Sequence, residues 1–365
     1  MFESIFLIVV SIFFLQIIVF TIGANKKFVR LKEDELPSVS VIVAARDEEE
    51  NILRCMQSLD KCIYDEDKLE IILVNDHSSD STGEIIKEFI KDKPKFKTII
   101  PGAGQGSLSG KANAIHNGIL IANGEVIIST DADCSVSPLW AKTIASYFTE
   151  GVSFVGGYTS QTDEKVFYGM QSIDFIYLLT VAGGAMNFGK PLSCIGNNMA
   201  YRKDVYWEVG GYEKIPFTVT EDFQLLMAIH EVKEYKTIYP IEADALVVSI
   251  PCKNYKELYR QKKRWGVGGL ESDLTGFMVM AVGYLANLGI LLLPLFFTTV
   301  SLYLALFKIF TDFYFIYPVH RKLNISFKLR DFIAFEIYFT IYVLLLPFMV
   351  LLNRKVKWKG RVFNE

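Results

Sequence analysis

Apolar residues concentrate at the two ends of the chain, whereas the middle alternates between short apolar runs and amphipathic stretches. Residues 5–22 contain no charge and are long enough to cross a bilayer. A cleaved signal peptide would have basic residues before its apolar region, and none precede this run. The run therefore predicts an uncleaved membrane anchor. The run is followed by basic residues, which place the chain from residue 26 onward in the cytoplasm by the positive-inside rule. These residues are Lys26, Lys27, Arg30 and Lys32.

Two further apolar runs lie near the C-terminus. Residues 277–310 are apolar apart from Lys308, and residues 332–352 are apolar apart from Glu336. The first run is too long for one upright helix and contains Pro294 near its middle, so a hairpin of two spans is one interpretation. The alternative is a single tilted span, which would keep the basic C-terminal tail inside. The number of spans stays open at this point.

Between about residues 37 and 265, strand-like apolar runs alternate with helix-like stretches. Repeated strand–helix units predict a parallel sheet with right-handed crossovers, in which ligands bind beyond the carboxyl ends of the strands. The predicted strands are 38–45, 69–76, 96–100 and 124–130, and the predicted helices are 48–59, 81–91 and a third that starts near Lys111.

Polar residues cluster directly after three of the four predicted strands. Parallel strands end at the same edge of a sheet, so these residues predict a binding site there. They are Arg46, Asp47 and Glu48 after the first strand, Asn75 and Asp76 after the second, and Asp131 and Asp133 after the fourth.

The last pair lies in the segment IISTDADCS, residues 127–135. In an extended chain, residues two apart point to the same side, so Asp131 and Asp133 are expected to share a face. Like charges held so close repel each other unless a cation lies between them. The spacing therefore predicts a bound divalent ion.

Composition limits the class of protein. The chain is 51% hydrophobic and 14% aromatic, which is too apolar for a wholly soluble protein of 365 residues. The net charge of −3 and the lack of a base-reading module give no sign of a nucleic-acid partner. The five cysteines are odd in number and form no C-x-x-C pair, so they are expected to be reduced in the cytoplasm.

The glycine-rich segment 101–114 superficially matches a nucleotide-binding loop. Gln105 and Ala112 break the P-loop pattern, and Ser107 breaks G-x-G-x-x-G, so neither motif is present. What remains is a loop that delivers Lys111 to a helix start, where the ammonium and the helix dipole can both meet a phosphate.

Later motifs are weak one by one: TED fits an ordinary helix start, and QKKRW fits a basic interfacial helix. Together, VNDHSSD, DAD, GNN, TED and Q-x-x-R-W, in this order, resemble the family 2 glycosyltransferases of the GT-A fold. The resemblance is to the membrane-embedded branch that contains cellulose, hyaluronan and poly-N-acetylglucosamine synthases and ceramide glucosyltransferases.

The resemblance implies an α/β fold: a Rossmann-like GT-A domain with a mostly parallel sheet, flanked by N- and C-terminal transmembrane helices. The implied domains are an anchor over residues 1–30, a cytoplasmic catalytic domain over 37–270, transmembrane or interfacial helices over 271–352, and a basic tail over 353–365.

The resemblance also implies a donor site. Asp131 and Asp133 look like the D-x-D pair that holds Mg²⁺ or Mn²⁺ against the diphosphate of a nucleotide-sugar. Asp76 resembles the aspartate that contacts the base and ribose, with Arg46 and Glu48 assisting at the same strand end. His77, next to Asp76, is expected to be a turn residue.

On the acceptor side, Asp222 matches the catalytic base of TED, which would accept a proton from the attacking hydroxyl in an inverting displacement. Adjacent Glu221 is expected to support it, and Lys111 to touch phosphate. Either Asn197 or Asn198 of GNN is expected near the acceptor, and Asn198 is taken as the binding residue.

Gln261, Arg264 and Trp265 match Q-x-x-R-W, and their spacing places them on one face of a helix. Arg264 would form forked hydrogen bonds to the diphosphate, and Trp265 would offer its ring to the acceptor.

The expected function is transfer of a sugar, from a donor that is most simply a UDP-sugar, to a membrane lipid at the inner leaflet. A processive polysaccharide synthase subunit is the alternative, and an inactive nucleotide-sugar-binding scaffold is the second one. The expected location is the cell's inner membrane with the catalytic domain in the cytoplasm. Expected partners are the donor, a lipid or glycan acceptor, membrane lipids and a partner membrane subunit, with no nucleic acid.

Overall fold

The computed structural model describes residues 1–104, 108–216, 218, 220–352, 356–358 and 361–363, the last two segments by their backbone alone. The chain divides into two compact units. The sheet unit comprises Lys26–Ser160 and Met186–Ile250, and the helical unit comprises Met1–Asn25, Gln161–Ala185 and Pro251–Glu365.

The strands of the described residues are, in chain order, β1 (Val39–Ala45), β2 (Leu69–Asn75), β3 (Phe96–Ile99), β4 (Val126–Asp131), β5 (Ser135–Val136), β6 (Val152–Gly156), β7 (Thr159–Gln161), β8 (Met199–Arg202), β9 (Lys236–Ile238), β10 (Val247–Ser249), β11 (Val356–Trp358) and β12 (Arg361–Phe363).

The α-helices of the same residues are α1 (Phe2–Ala24), α2 (Ile52–Asp60), α3 (Thr82–Ile90), α4 (Gly110–Ile121), α5 (Trp140–Ala145), α6 (Val166–Met186), α7 (Lys203–Glu208), α8 (Gly211–Lys214), α9 (Glu221–Glu231), α10 (Tyr255–Gly268), α11 (Leu274–Leu291), α12 (Thr299–Lys322) and α13 (Leu329–Leu351).

A mixed sheet forms the centre of the sheet unit. Its order within the described residues is β3-β2-β1-β4-β8-β6-β9. Strands β1 to β4 pair in parallel, β8 runs antiparallel to both β4 and β6, and β9 is parallel to β6. The predicted mostly parallel α/β sheet is confirmed, and the four predicted strands lie within two residues of their observed bounds.

The central strands form because their residues are apolar on both faces. In β1, every residue is buried except Ala44, and β2 is buried except at Glu70 and Asn75. Continuous apolar runs of this kind are typical of parallel strands with layers on both sides. Each fully buried valine, isoleucine or leucine side chain contributes about 1.5–3 kcal/mol of transfer free energy.

The helical unit contains long apolar helices. Among the described residues, α1, α6, α11, α12 and α13 are long and apolar enough to cross a membrane, by length and composition. The run 277–310 is divided between α11 and α12, and Pro294 lies in the connection between them. The structure therefore divides this run into two helices, as the hairpin interpretation predicted, and the number of membrane spans stays a prediction.

Helix α6 was not predicted as an apolar helix. Its residues were predicted to belong to a continuous domain over 37–270, whereas the structure groups 161–185 and 251–270 with the helical unit. The only charged residue in α6 is Asp174.

Of the predicted tail 353–365, the backbones of β11 and β12 form an antiparallel pair, and the other residues lie outside the described part. Gln105 and Ser107 also lie outside it.

Helices α1 and α6 pack closely because Gly184 has no side chain. A methyl group at Gly184 would lie 2.4 Å from the main-chain oxygen of Phe20. Small residues of this kind let the backbones of apolar helices approach each other.

The two charges that interrupt the C-terminal apolar runs pair with each other. Lys308 Nζ lies 3.2 Å from Glu336 Oε2 and 2.7 Å from Asp312 Oδ2. It also donates a hydrogen bond to Asn287 Oδ1 at 3.1 Å. Buried charges are found paired because an isolated one is very costly in an apolar environment.

Candidate active site

The carboxyl ends of three strands meet at one edge of the sheet. The parallel register places Ala45 of β1 beside Asn75 of β2, and Ala44 of β1 beside Asp131 of β4. The polar residues that follow these strands therefore gather at the edge where parallel sheets bind ligands.

Arg46 and Asp76 contact each other at this edge. Arg46 Nη1 donates to the main-chain oxygen of Asp76 at 2.9 Å and lies 3.8 Å from its Oδ2. Asp76 is buried, so the guanidinium stabilises its carboxylate and orients it. Glu48 lies in the same loop, where its N–H donates to Thr82 Oγ1 and its Oε2 accepts from Asn51.

Asp47 joins the loops that follow β1 and β2. Its Oδ1 accepts a hydrogen bond from the N–H of Ser79 at 2.8 Å, and its own N–H donates to Ser78 Oγ. Asp47 and His77 have φ values of 50° and 53°, in the left-handed region that non-glycine residues seldom adopt. His77 lies in a tight turn, as the sequence suggested. The side-chain bonds of Asp47 indicate that it holds the loops together.

The chain turns at the D-x-D motif. Strand β4 ends at Asp131, and the N–H of Cys134 donates to the main-chain oxygen of Asp131 at 3.1 Å. The predicted extended chain from Asp131 to Asp133 was therefore wrong, because the strand ends at Asp131 and the chain turns there. Arg54 donates to the main-chain oxygen of Asp133, and Cys134 Sγ lies 3.3 Å from Asp133 Oδ1. These contacts hold Asp133 in the turn.

Lys111 connects the D-x-D motif with the TED motif. Its Nζ lies 2.5 Å from Asp131 Oδ1 and 3.7 Å from Glu221 Oε1. Burial by itself lowers the pKa of Lys111, but the carboxylates of Asp131, Glu221 and Asp222 outweigh it, so the pKa lies above its ordinary value. The ammonium therefore stays charged between two motifs that are 90 residues apart in the sequence.

The TED motif begins helix α9, as predicted. Thr220 holds the N-cap position, but its side chain makes no capping hydrogen bond. Helix capping by Thr220 therefore does not explain the presence of the TED motif. Asp222 Oδ1 accepts from the N–H of Phe223 at 2.9 Å. Gly196 of the GNN motif lies beside this aspartate, since a methyl group there would be 3.1 Å from Asp222 Oδ2 and 3.4 Å from Lys111 Nζ.

Asn198 is part of the core of the sheet unit. Its Oδ1 accepts from Trp140 Nε1 at 3.0 Å, and its Nδ2 donates to the main-chain oxygens of Tyr158 and Ala245. The side chain is completely buried, and both of its N–H donors are used. We therefore correct the prediction that Asn198 contacts substrate, because its amide already holds three protein segments together.

Replacing Asn198 with alanine is expected to destabilise the protein by about 2–4 kcal/mol, since it leaves buried polar groups unpaired. Thermal unfolding in detergent measures this effect. Asn123→Ala, at an exposed position whose amide bonds Glu70, is the matched control. A stable Asn198→Ala protein with weakened substrate binding would restore the original assignment.

The residues of Q-x-x-R-W lie on α10, in the helical unit. The helix extends through all of them, so Gln261, Arg264 and Trp265 share a face as the spacing predicted. All three side chains are half-buried. The ring of Trp265 packs against Phe175, with 5.1 Å between ring centroids.

The donor atoms at the D-x-D turn fit a hard divalent ion shared with a phosphate ligand. Asp131 and Asp133 are half-buried, and contact of Lys111 with one oxygen does not saturate the Asp131 carboxylate. Among the described residues, no group of three or more His, Cys, Asp or Glu side chains could hold a metal alone. Mg²⁺ is commonly held by one or two carboxylates together with substrate phosphates, which matches this pair.

Sequence reasoning missed Arg54 and Cys134 as supports of the turn. Cys134 follows the motif directly, so its adjacency to Asp133 was an available signal. No sequence signal pointed to Arg54, because its guanidinium donates to the main-chain oxygen of a residue 79 positions away.

Two family models match the chain. The model described as "Glycosyl transferase family 2" matches residues 40–210, and the one described as "Glycosyl transferase family group 2" matches residues 126–352. The two ranges together contain every predicted site residue.

Several curated relatives have names that state an activity, of two kinds. A beta-monoglucosyldiacylglycerol synthase of Synechocystis is 25% identical over 258 residues, which are 65% of this chain and 49% of the relative. A poly-beta-1,6-N-acetyl-D-glucosamine synthase of Staphylococcus epidermidis is 26% identical over 285 residues, 76% of this chain and 65% of the relative. This chain therefore spans about half to two thirds of their lengths.

A solved structure shares the fold. It is a mannosyltransferase from Pyrobaculum calidifontis in complex with GDP-mannose and Mn²⁺, with 15% identity and a TM-score of 0.62. The match covers 96% of this chain and 98% of that one, so the similarity extends to the apolar helices as well as the sheet.

Proposed function

This chain belongs to the family 2 glycosyltransferases, and from that premise we propose that it transfers a sugar from a nucleotide-sugar to a membrane lipid with inversion of configuration. One observation carries the proposal. The ammonium of Lys111 lies between Asp131 of the D-x-D turn and Glu221 at the start of α9, beside Asp222. In this proposal, a diphosphate site and a base for the attacking hydroxyl would lie next to each other.

On the donor side, Asp131 and Asp133 would hold Mg²⁺ or Mn²⁺. The bound ion would neutralise the negative charge of the leaving diphosphate. Lys111 lies in the first turn of α4, where its charge and the helix dipole both favour a phosphate. Asp76, oriented by Arg46, would accept hydrogen bonds from the nucleoside. Glu48 would assist at the same edge.

On the acceptor side, Asp222 would accept the proton of the attacking hydroxyl as its oxygen displaces the nucleotide in line. Arg264 would stabilise charge on the diphosphate, and Trp265 and Gln261 would contact the acceptor or its sugar. The Asn198 amide has no part in this scheme.

A lipid acceptor at the inner leaflet is supported by the apolar helices and by the named activity of the Synechocystis relative. The basic residues that follow α1 favour a cytoplasmic sheet unit. Synthesis of a polysaccharide, with or without a partner membrane subunit, is a second candidate, supported by the named activity of the staphylococcal relative. We propose UDP as the nucleotide of the donor.

A donor screen tests the proposal. Purified protein in detergent is incubated with Mg²⁺ or Mn²⁺, a membrane lipid extract and one UDP-, GDP- or dTDP-sugar at a time, and release of nucleoside diphosphate is measured. A lipid product shifted by one sugar on thin-layer plates supports the lipid acceptor, whereas a glycosidase-sensitive polymer supports the second candidate. No release from any donor would favour an inactive scaffold.

Gly196→Ala is expected to lower turnover by about tenfold, because the added methyl group pushes on Asp222 and Lys111 and small displacements of reacting groups are costly. The backbone there can accept alanine, so the thermal midpoint should hold. Gly283→Ala in α11, where a methyl group meets open space, is the control. An unchanged rate would show that the GNN loop does not constrain the base.

A further inference from the structure

A buried ion pair lies inside the Q-x-x-R-W region of the helical unit. Lys262, the second residue of the motif, pairs with Asp174 of α6, and their side chains are 2% and 1% exposed. Tyr338 of α13 donates to Asp174 Oδ2 at 3.4 Å. Side chains from α6, α10 and α13 therefore meet at one carboxylate.

The same ammonium contacts the tryptophan of the motif. Lys262 Nζ lies 4.1 Å from the ring centroid of Trp265 and 5.2 Å from that of Tyr342. Phe175, the residue after Asp174, packs against the same indole ring, with 5.1 Å between the ring centroids. Trp265 is thus held by two neighbouring residues of α6, one through Lys262 and one directly.

The start of α10 is tied to the same helix. Gln171 of α6 donates through Nε2 to the main-chain oxygen of Cys252 at 3.2 Å and accepts from the N–H of Cys252 at 3.0 Å. The amide fixes the chain just before α10, and the ion pair fixes it two turns later. Rotation of α10 about its axis would break the ion pair.

Stability alone does not account for this pair. Burying two charges is costly, and packed apolar side chains of similar size are often as stabilising as a buried ion pair. A lysine over an indole ring adds an orientation-dependent attraction that an apolar side chain lacks. The arrangement favours one position of the ring over others.

We propose that Asp174 is a positioning residue for the transfer reaction. Through Lys262 it holds the ring of Trp265, and with it the preceding Arg264, in the orientation that the reaction requires. This inference rests on the proposed function, in which both of those side chains act on bound substrates.

The test replaces the pair with apolar side chains of similar size, Asp174→Leu together with Lys262→Met, because a single substitution leaves a buried charge unpaired and risks misfolding. The double variant is expected to keep its thermal midpoint. Its kcat and kcat/KM are expected to fall together by about 10- to 100-fold, as for a misplaced reacting group.

A second readout is independent of activity. Quenching of Trp265 fluorescence by acrylamide, taken as the difference from a Trp265→Phe background, is expected to increase in the double variant. The control replaces the Lys328–Asp163 pair of the same unit, 2.7 Å apart and partly exposed, by Lys328→Met with Asp163→Leu. This control should change neither readout.

Normal kinetics with unchanged quenching in the double variant would overturn the inference, and so would a loss of activity that only follows a loss of folded protein. If the wild-type protein releases no nucleoside diphosphate, the proposed function fails. The quenching measurement then still decides whether Asp174 and Lys262 orient Trp265.

Discussion

Asp222→Asn is expected to lower turnover by about 10²- to 10⁴-fold, the range for removal of a general base. Asparagine has nearly the same shape but cannot accept the proton of the attacking hydroxyl. The neighbouring contacts should persist, because Phe223 donates to Oδ1 and an amide oxygen can accept that bond. The affinity for the donor should therefore stay close to that of the wild-type protein.

Nucleoside diphosphate release gives the rate, and titration calorimetry with the donor gives the affinity. Asp92→Asn, at an exposed position on the sheet unit, is the matched control and should behave as wild type. Near-normal turnover by Asp222→Asn would remove Asp222 from the role of base and require another acceptor of the proton.

Asp131→Asn is expected to weaken donor binding and to lower turnover by about 10²- to 10³-fold, as when one group that stabilises developing charge is removed. Two interactions are lost together. The neutral amide is a poorer ligand for Mg²⁺ or Mn²⁺, and it no longer pairs with Lys111, 2.5 Å from Oδ1 in the wild-type protein.

A metal titration separates this effect from misfolding. The concentration of Mn²⁺ that gives half-maximal activity should rise in Asp131→Asn, whereas the exposed control Asp67→Asn should match wild type. Asp133→Asn is the informative comparison, since Asp133 lies in the turn after β4. If Asp131→Asn titrates like wild type, the carboxylate at the end of β4 does not hold the ion.

Much of the sheet unit was predictable from local pattern. The apolar runs at 38–45, 69–76, 96–100 and 124–130 gave strands within two residues of the observed ones, and their parallel pairing followed from the helices between them. The gathering of Arg46, Asp76 and Asp131 at one edge follows from the same reasoning, because parallel strands share an end.

The helical unit was harder to predict, for a physical reason. Helix α6 lies between β7 and β8 in the sequence, inside the range 37–270 that was predicted to form the catalytic domain. Its membership of the helical unit depends on contacts with α1, α10 and α13. These contacts bring together residues that are far apart in the chain, and local hydropathy does not encode them.

The sequence by itself determined the family, because an ordered set of motifs identifies it. It also determined which polar residues follow the strands and that Q-x-x-R-W shares one helical face, because both depend on spacing along one element. Tertiary structure alone decided that Lys111 joins two distant motifs, that Asn198 is a core amide and that Lys262 pairs with Asp174. Those outcomes depend on which side chains meet across the fold, where burial makes an unpaired charge or amide costly and so selects its partner.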